Sequence, residues 1–471
     1  MTVGTSLLRA PWLWDGAILH RDAALALEGG RVRSLHLGRD ALDVWGRTPA
    51  RRRHELPRHL LMPGLCDAHS HAFQRIFRGH VQHRAAGDSF WAWRHAMYAA
   101  ATRLGPGGVY AVACQAFLEL LRAGVSAVGE FHYLHHAPNG QPYERPDLLA
   151  EQVIAAARRV GLRITLLRVA YAAAGIERDG RPTPALPEQR RFLARSPDDV
   201  LAACARLQAH HAADPGVVVG LAPHSVRAVP RSWLPEFAGF SGVVHAHVAE
   251  QPAEVHACHA AFGRGPLQLF ADAGLLHERF SAVHLTHPEP GDAALLRASG
   301  ASVVACPSTE LDLGDGFLPP ALHTACRVAV GSDSYADVDP LGEARALEGH
   351  ARAALGRRVV LGDGSPGSLA GTVLDMASAH GHRAIGQPGG RIVAGAVADL
   401  CAVDLDRPEA DGMPPLEAVA LRARPEWVSD VWVQGVRRLR DGRHPDEDAI
   451  RAAFRVVCAD PALPAHDDAL H

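Results

Sequence analysis

The chain has 471 residues, of which 48% are apolar and 21% are charged, and its formal net charge at pH 7 is −3. This composition supplies a large folded core and excludes a disordered or fibrous chain. The small net charge, without a basic stripe or an acidic tail, predicts neither nucleic acid nor a basic protein as partner. The longest apolar stretches stop well short of the ~20 residues that a membrane span needs.

Arginine is the only source of permanently cationic side chains, because the sequence contains no lysine. This excludes Schiff-base chemistry, a phosphate-loop lysine and a carboxylated lysine that bridges two metals. The eight cysteines are isolated, and Arg9 and Asp15 interrupt any apolar signal sequence. We therefore expect a reducing, cytoplasmic location.

Short strands separated by turns are predicted in residues 1–58. The turn signals are Asp15-Gly16 and Gly29-Gly30. The predicted strands are Ala24–Glu28, which lies between these two turns, and Val32–Leu37, which follows the second. These features predict one part of a small β domain at this end of the chain.

Eight short apolar runs alternate with helix-like segments through the middle of the chain. Segments such as Asp147–Val160 and Pro197–His211 carry apolar residues at helical spacing. The eight runs are Leu60–Asp67, Val125–His132, Arg163–Tyr171, Val217–Pro223, Val243–Ala249, Ala282–Thr286, Ser302–Pro307 and Val328–Asp333. This alternation predicts an α/β fold, a (β/α)8 barrel over residues 59–390. A doubly wound sheet is the alternative, but no GxGxxG follows a strand.

The chain returns to short strands after about residue 390. Val397–Val403 and Val428–Gln434 are the candidate strands, and Asp441-Gly442 marks a further turn. The simplest architecture joins residues 391–471, which include a C-terminal tail, to residues 1–58 in one small β-sandwich domain beside the barrel.

Polar residues follow several of the eight runs, where a barrel carries its functional groups. Histidine is frequent in this chain, so any single histidine is more often a core or solvated residue than a ligand. Position separates the candidates: His380 and His382 follow no barrel run, and His132, His135 and His136 are expected in a solvated loop. The remaining candidates at the strand ends are His69, His71, His224, Arg227, His247, Glu250, His284 and Asp333.

His69 and His71 are the strongest pair, because alternate residues of a strand point to the same side. One strand can therefore offer both imidazoles to a single ion. A third histidine and a carboxylate from distant strands would complete a catalytic zinc site, which keeps one position open for water.

The sequence resembles the amidohydrolase superfamily in Pro63-Gly64-Leu-Cys-Asp-Ala-His69-Ser-His71, His247-x-x-Glu250, His284 and Gly331-Ser-Asp333. It resembles most closely the formimidoylglutamate deiminases of histidine breakdown. The stretches that carry this resemblance are His69-Ser-His-Ala-Phe-Gln74-Arg, Phe90-Trp-Ala-Trp-Arg94, Gly129-Glu-Phe-His-Tyr133-Leu-His-His, Pro223-His224-Ser-Val-Arg227-Ala and Leu313-Gly-Asp-Gly316.

The resemblance implies hydrolytic deamination of N-formimino-L-glutamate to N-formyl-L-glutamate and ammonia at one zinc ion. It implies that Glu250 and His284 flank the reacting carbon and that His224 and Arg227 approach the substrate. The residues that would hold the substrate carboxylates are Gln74, Arg94 and Tyr133. The implied zinc ligands are His69, His71, His247 and Asp333, a set that also accepts iron or manganese.

The same chemistry follows from the residue types. A formimine carbon is a poor electrophile, and a divalent zinc ion lowers the pKa of bound water to ~7 and thereby supplies hydroxide. Asp333 can take the proton of that water, and Glu250 can carry a proton to the leaving nitrogen. His284 can then stabilise the tetrahedral species.

Two alternatives remain open at this point. Another mononuclear deaminase or chlorohydrolase would act on a purine, pyrimidine or triazine ring and would need an aromatic-lined pocket with fewer arginines. The second alternative is a barrel without catalysis that acts as a binding protein, and such a barrel would have lost one of its metal-binding side chains. The expected partners are a small dicarboxylate substrate and a second copy of the chain in a homodimer, with no nucleic acid and no membrane.

Overall fold

The computed structural model describes residues 6–80, 97–98 and 101–459. Within them, two eight-stranded sheets and a short two-stranded hairpin carry the β structure. The strands in chain order are β1 (Ser6–Trp14), β2 (Leu19–Glu28), β3 (Arg31–Leu37), β4 (Arg53–Glu55), β5 (His59–Pro63), β6 (Leu65–Ser70), β7 (Val125–His132), β8 (Arg163–Ala170), β9 (Gly175–Ile176), β10 (Pro182–Thr183), β11 (Val217–Pro223), β12 (Val244–Val248), β13 (Phe280–His284), β14 (Ser302–Ala305), β15 (Arg327–Val330), β16 (Leu400–Asp404), β17 (Val428–Val433) and β18 (Val436–Leu439).

The α-helices of the described residues have proline at their start in many cases and glycine after their end in others. Proline suits the first turn of a helix, and a left-handed glycine ends one at little cost. Pro197–His211, for example, also has Ser196 as its cap, whose hydroxyl accepts from Asp199 N–H. The helices are Gly38–Arg47, Pro106–Arg122, Leu148–Val160, Pro197–His211, Pro252–Phe262, Pro266–Asp272, Asp292–Ser299, Pro307–Leu313, Pro340–Leu355, Ser368–Met376, Ala379–Ala384, Pro415–Arg422 and Glu447–Cys458.

The barrel is confirmed, because its eight strands pair in parallel in the order β15-β14-β13-β12-β11-β8-β7-β6. The barrel closes where the end of β6 meets the residues just after β15: Asp333 N–H donates to the carbonyl of His69, and His71 N–H donates to that of Asp333. This seam needs a glycine, since a Cβ on Gly331 would lie 2.6 Å from the His69 carbonyl oxygen. The contact brings side chains from both ends of the barrel sequence to one place.

The second sheet combines both ends of the chain in the order β18-β17-β16-β5-β1-β2-β3, with β4 paired to β1. It corrects one sequence boundary: the predicted run Leu60–Asp67 is two strands. β5 pairs with β16 in the sheet of the chain ends, and only β6 enters the barrel.

Sequence analysis missed β1 and the helix Glu447–Cys458. β1 pairs with β2 along most of its length and buries Leu8 and Leu13. The helix packs against Pro106–Arg122, and Arg122 pairs with Glu447 at 2.7 Å. Both chain ends therefore contribute to the packing around the barrel.

A buried ion pair joins the barrel to the sheet of the chain ends. Arg163 on β8 donates from Nε to Oδ2 of Asp399, the residue just before β16, at 2.7 Å. The same guanidinium donates to Gln387 Oε1 and to the Pro388 carbonyl, each at 2.7 Å. Both members of the pair are at most 2% exposed, so the pair is shielded from water.

Among the residues that the structure describes, no helix combines the length and the apolar character required to cross a membrane.

Candidate metal centre and substrate pocket

Four predicted ligands meet at the C-terminal end of the barrel. The Nε2 atom of His69 lies 3.2 Å from that of His71 and 3.2 Å from that of His247. Asp333 Oδ1 lies 3.4 Å from His69 Nε2 and 3.2 Å from His71 Nε2. All four side chains are buried.

This spacing suits four donor atoms around one small cation. Zinc–nitrogen bonds of ~2.0–2.1 Å place neighbouring ligand atoms roughly 3 Å apart, and zinc can expand to five ligands, so a water could join these four side chains. The other nitrogens orient two of the rings: His71 Nδ1 and His247 Nδ1 each lie 3.0 Å from a backbone carbonyl, of Phe131 and His224. Each Nδ1 therefore carries the hydrogen, and each Nε2 presents its lone pair to the centre.

The protonation states of the ligand side chains also suit the binding of a cation. Burial would raise the pKa of Asp333, but its contacts with His69 and His71 hold that pKa well below the usual value. Burial lowers the pKa of His69 to about 3. The carboxylate is thus ionised and the imidazole neutral, which are the forms that bind metal.

Glu250 and Arg227 form an ion pair next to these ligands. Arg227 Nη2 donates to Glu250 Oε2, and its Nε lies 3.6 Å from Glu254 Oε2. Glu254 is 1% exposed and accepts a hydrogen bond from the Glu250 backbone N–H at 3.2 Å. Arg227, predicted to approach the substrate, therefore also anchors the predicted proton carrier, and sequence analysis did not identify Glu254.

His284 lies beside the centre, between the carboxylates of Glu250 and Asp333. Its Nε2 is 3.8 Å from Glu250 Oε1 and 3.8 Å from Asp333 Oδ2. His284 and Leu285 both have positive φ, of 70° and 52°, which is strained for residues with a Cβ. The strained turn directs the His284 ring into the site.

Glu310 supports the His284 ring from behind. Its Oε1 accepts from the Cys306 backbone N–H at 2.8 Å and lies 3.3 Å from His284 Nδ1. Burial lowers the pKa of His284, but the hydrogen bond with Glu310 and the nearby carboxylates raise it to about 10. Glu310 was missed because no spacing links it to His284.

A pocket opens beside the four ligands, and His71, His247 and Asp333 are part of its lining. Four of the predicted substrate residues line it, namely Gln74, Tyr133, His224 and Arg227. Gln74 Nε2 donates to the Tyr133 hydroxyl at 2.8 Å. Arg94, the fifth, lies outside the described residues.

Two further tyrosines line the pocket and were not predicted. The hydroxyls of Tyr98 and Tyr171 are 2.9 Å apart. Gln189 Nε2 donates to both, at 3.1 and 2.7 Å. These three residues follow no recognisable motif and are brought together only by the fold.

His132, His135 and His136 were predicted to lie in a solvated loop, and this prediction is wrong for His132 and His135. His132 and His135 are 3% and 4% exposed. The backbone N–H groups of His135 and His136 donate to the Arg191 carbonyl, so the turn containing residues 187–191 covers this segment. Burial lowers the pKa of His132 to about 3, and none of these three histidines belongs to the group of four ligands. His382 is likewise buried, and its Nδ1 lies 3.0 Å from the Ser378 carbonyl.

A barrel with three histidines, one aspartate and a neighbouring glutamate at its C-terminal end has the side chains that a metal-dependent hydrolase needs. The sequence profile of the amidohydrolase family matches residues 60–438, and the chain belongs to this family. It is thus an enzyme that hydrolyses C–N bonds.

The comparisons with known proteins agree with this assignment. The chain is 38% identical to a formimidoylglutamate deiminase of Pseudomonas aeruginosa over 405 residues, 84% of this chain and 88% of the relative. A crystal structure of an amidohydrolase from Brucella melitensis superposes with a TM-score of 0.86 at 30% identity, covering 96% and 99% of the two chains. An adenosine deaminase from Xanthomonas campestris with bound zinc gives a TM-score of 0.81 at 26% identity, covering 96% and 97%.

Proposed function

We propose that the protein is a zinc-dependent deiminase that converts N-formimino-L-glutamate to N-formyl-L-glutamate and ammonia in histidine degradation. One observation carries the proposal: the four-ligand centre and a buried arginine open onto the same pocket. The 38% identity to a formimidoylglutamate deiminase supports the choice of substrate. The presence of all four ligands and Glu250 disfavours a barrel without catalysis.

His69, His71, His247 and Asp333 would hold the zinc ion, which supplies a nucleophilic hydroxide at neutral pH when bound. Glu250 has its Oε2 engaged by Arg227, so its Oε1, on the side of His284, is the atom available to carry a proton. From there it passes to the leaving nitrogen the two protons that the attacking water gives up, so that this nitrogen, which starts with one hydrogen, departs as ammonia while the water oxygen becomes the formyl oxygen. His284 Nε2 lies near Glu250 Oε1 and stabilises the charge that develops on the atoms bonded to the reacting carbon.

The pocket supplies donors that suit a carboxylate. Arg227 is 6% exposed, and a charge-assisted contact to a substrate carboxylate is strong in such a shielded site. The hydroxyls of Tyr133 and Ser225 and the amide of Gln74 line the same pocket. A substrate with one carboxylate should therefore bind less well than one with two.

Ammonia release from a substrate panel tests the function. The panel contains the N-formimino derivatives of L-glutamate, L-aspartate and glycine, together with adenine- and triazine-based ring amines. We expect the highest kcat/KM for the glutamate derivative and a clear loss for the glycine derivative, which has a single carboxylate. Arg227→Ala should reduce this preference, whereas Arg195→Ala, at an exposed ion pair with Asp199, should not. Faster turnover of a ring amine would refute the assignment.

Deamination of a heterocyclic ring is the second candidate. The specific observation in its favour is the aromatic lining of the pocket by Tyr98, Tyr133 and Tyr171. One of the similar structures is described as an adenosine deaminase with bound zinc. The buried arginine beside Glu250 favours the dicarboxylate, and the same panel decides between the two.

We further infer that the enzyme is a cytoplasmic homodimer with no nucleic-acid or membrane partner. All eight cysteines are free thiols, as suits a reducing compartment. A symmetric dimer is the commonest assembly of soluble enzymes. Sedimentation equilibrium tests the dimer, and a mass of one chain at micromolar concentration would contradict it.

A further inference from the structure

Three buried side chains meet at the seam where the barrel closes, directly behind the metal ligands. Ser70 lies between His69 and His71 and donates from Oγ to Glu130 Oε2 at 2.6 Å. The hydroxyl of Tyr335 lies 2.8 Å from Ser70 Oγ. All three are at most 1% exposed, and we name them the Ser70–Glu130–Tyr335 cluster.

The cluster brackets His71 on both sides. Glu130 accepts from the Ser70 hydroxyl and, through Oε1, from the Ala72 backbone N–H at 2.9 Å. The carbonyl of Phe131, the residue after Glu130, holds His71 Nδ1. The end of β7 therefore fixes both the backbone and the ring of this ligand.

Tyr335 connects the same cluster to Asp333. Its backbone N–H donates to the Ser332 carbonyl at 3.0 Å. Both Asp333 and Tyr335 have positive φ, of 48° and 62°, so this turn needs support from its surroundings. The carboxylate of Glu130 accepts the Ser70 hydrogen, which leaves the Ser70 oxygen to accept from Tyr335.

None of the three side chains is among the described residues that line the pocket. They cannot bind the substrate from where they lie, and they hold no ligand position themselves. Their contacts instead join the turn after β6 to the turn after β15, and each turn carries part of the ligand set.

We propose that the Ser70–Glu130–Tyr335 cluster sets the metal affinity of the centre by positioning His71 and Asp333 relative to each other. The proposal rests on the metal centre of the proposed function. Tyr335 acts through Ser70, and Ser70 acts through Glu130, so the three form one chain of hydrogen bonds. Partners that orient metal ligands typically contribute about 10–100-fold to metal affinity.

The test measures zinc affinity directly, by competition with a chelator of known affinity, without any substrate. Ser70→Ala and Glu130→Gln should each bind zinc about 10–100-fold more weakly than the parent protein. Tyr335→Phe removes only a hydroxyl and should weaken zinc binding by less. Tyr110→Phe, on the helix Pro106–Arg122, is the matched control and should bind zinc as the parent does.

A double-mutant cycle makes the test specific for the chain of contacts. In the Ser70→Ala background, Tyr335→Phe should cause no further loss, because the hydroxyl that it removes has no acceptor left. The thermal midpoint of each metal-free variant is measured in parallel. A lower midpoint with unchanged zinc affinity would mean that the cluster only packs the seam, and would overturn the proposal.

The remaining outcomes are also decisive. If Glu130→Gln does not fold, Ser70→Ala and Tyr335→Phe decide alone. Parent-like zinc affinity in both of these variants overturns the proposal and leaves the proposed function intact. A parent protein that takes up no zinc overturns the metal centre and, with it, the role of the cluster.

Discussion

Replacement of Glu250 by glutamine tests the proposed chemistry most directly. Glutamine keeps the shape of the side chain and an oxygen that can accept from Arg227, as Glu250 Oε2 does. It cannot carry a proton from one step to the next. General acid–base catalysis contributes about 10²–10⁴-fold, so kcat should fall by that factor, which corresponds to about 3–5 kcal/mol in the activation barrier.

The fold should tolerate this change because Arg227 has a second anionic partner. Glu254 Oε2 lies 3.6 Å from Arg227 Nε, and burial raises the pKa of Glu254 to about 7 although the Arg227 charge opposes the rise. Removing the Glu250 charge takes away the repulsion between the two carboxylates, so Glu254 ionises more readily and still balances Arg227. Metal content and thermal midpoint should therefore stay close to those of the parent.

The assay measures kcat and KM for N-formimino-L-glutamate, metal content and thermal midpoint on the same preparations. Glu254→Gln is the matched control, since it removes the neighbouring carboxylate, which is not among the described residues lining the pocket. It should retain most of the turnover. Near-normal kcat in Glu250→Gln would refute the reasoning and leave Asp333 as the leading candidate for the proton carrier.

Four further predictions concern stability, pH and metal. Arg163→Met leaves the buried Asp399 carboxylate without its cation and should lower the free energy of unfolding by about 3–5 kcal/mol; a urea titration showing less than 1 kcal/mol would contradict this. Burial lowers the pKa of His382 to about 3, so between pH 6.5 and 3 the unfolded chain binds more protons and stability falls as the pH falls. His382→Gln should flatten that slope by up to ~1.4 kcal/mol per pH unit, and equal slopes for parent and variant between about pH 6 and 4 would exclude the effect. Glu310→Gln weakens the support of His284 and should reduce kcat on the order of 10–100-fold, part of the acid–base contribution, with KM and metal content unchanged; a change in KM alone would argue for a different role. Removal of metal by a chelator should abolish activity and lower the thermal midpoint. Zinc at about 100 times its dissociation constant should then restore ~2.7 kcal/mol of folding stability. A thermal midpoint that does not depend on zinc would count against a bound metal.

The barrel could be predicted because its strands are short apolar runs bounded by turns. Such runs are buried on both faces of a parallel sheet, and their pattern depends on local sequence. The error at Leu60–Asp67 arose because β5 and β6 are both apolar and only Gly64 separates them. The helix Glu447–Cys458 could be predicted from the sequence, since Ile450, Phe454 and Val457 have helical spacing.

The four ligands could be predicted because strand ends place side chains at a known edge of the barrel. Glu310 and Glu254 could not be, because their roles depend on the distance between two chain segments. Position 310 becomes a partner of His284 only when the helix Pro307–Leu313 packs beside β13. The pairing of Arg227 with Glu250 likewise depends on neighbouring strands, and the sequence contains no spacing rule for it.

The seam between β6 and β15 also orders events during synthesis of the chain. His69 and His71 leave the ribosome early, whereas Asp333 follows only after the seven further barrel strands have been made. At ~5–20 residues per second, roughly 10–50 s separate the first ligand pair from the last ligand. A nascent chain in that interval can offer a metal ion at most three imidazoles and no carboxylate from β15. The complete ligand set therefore exists only in a closed barrel, and tight metal binding marks chains that have finished folding.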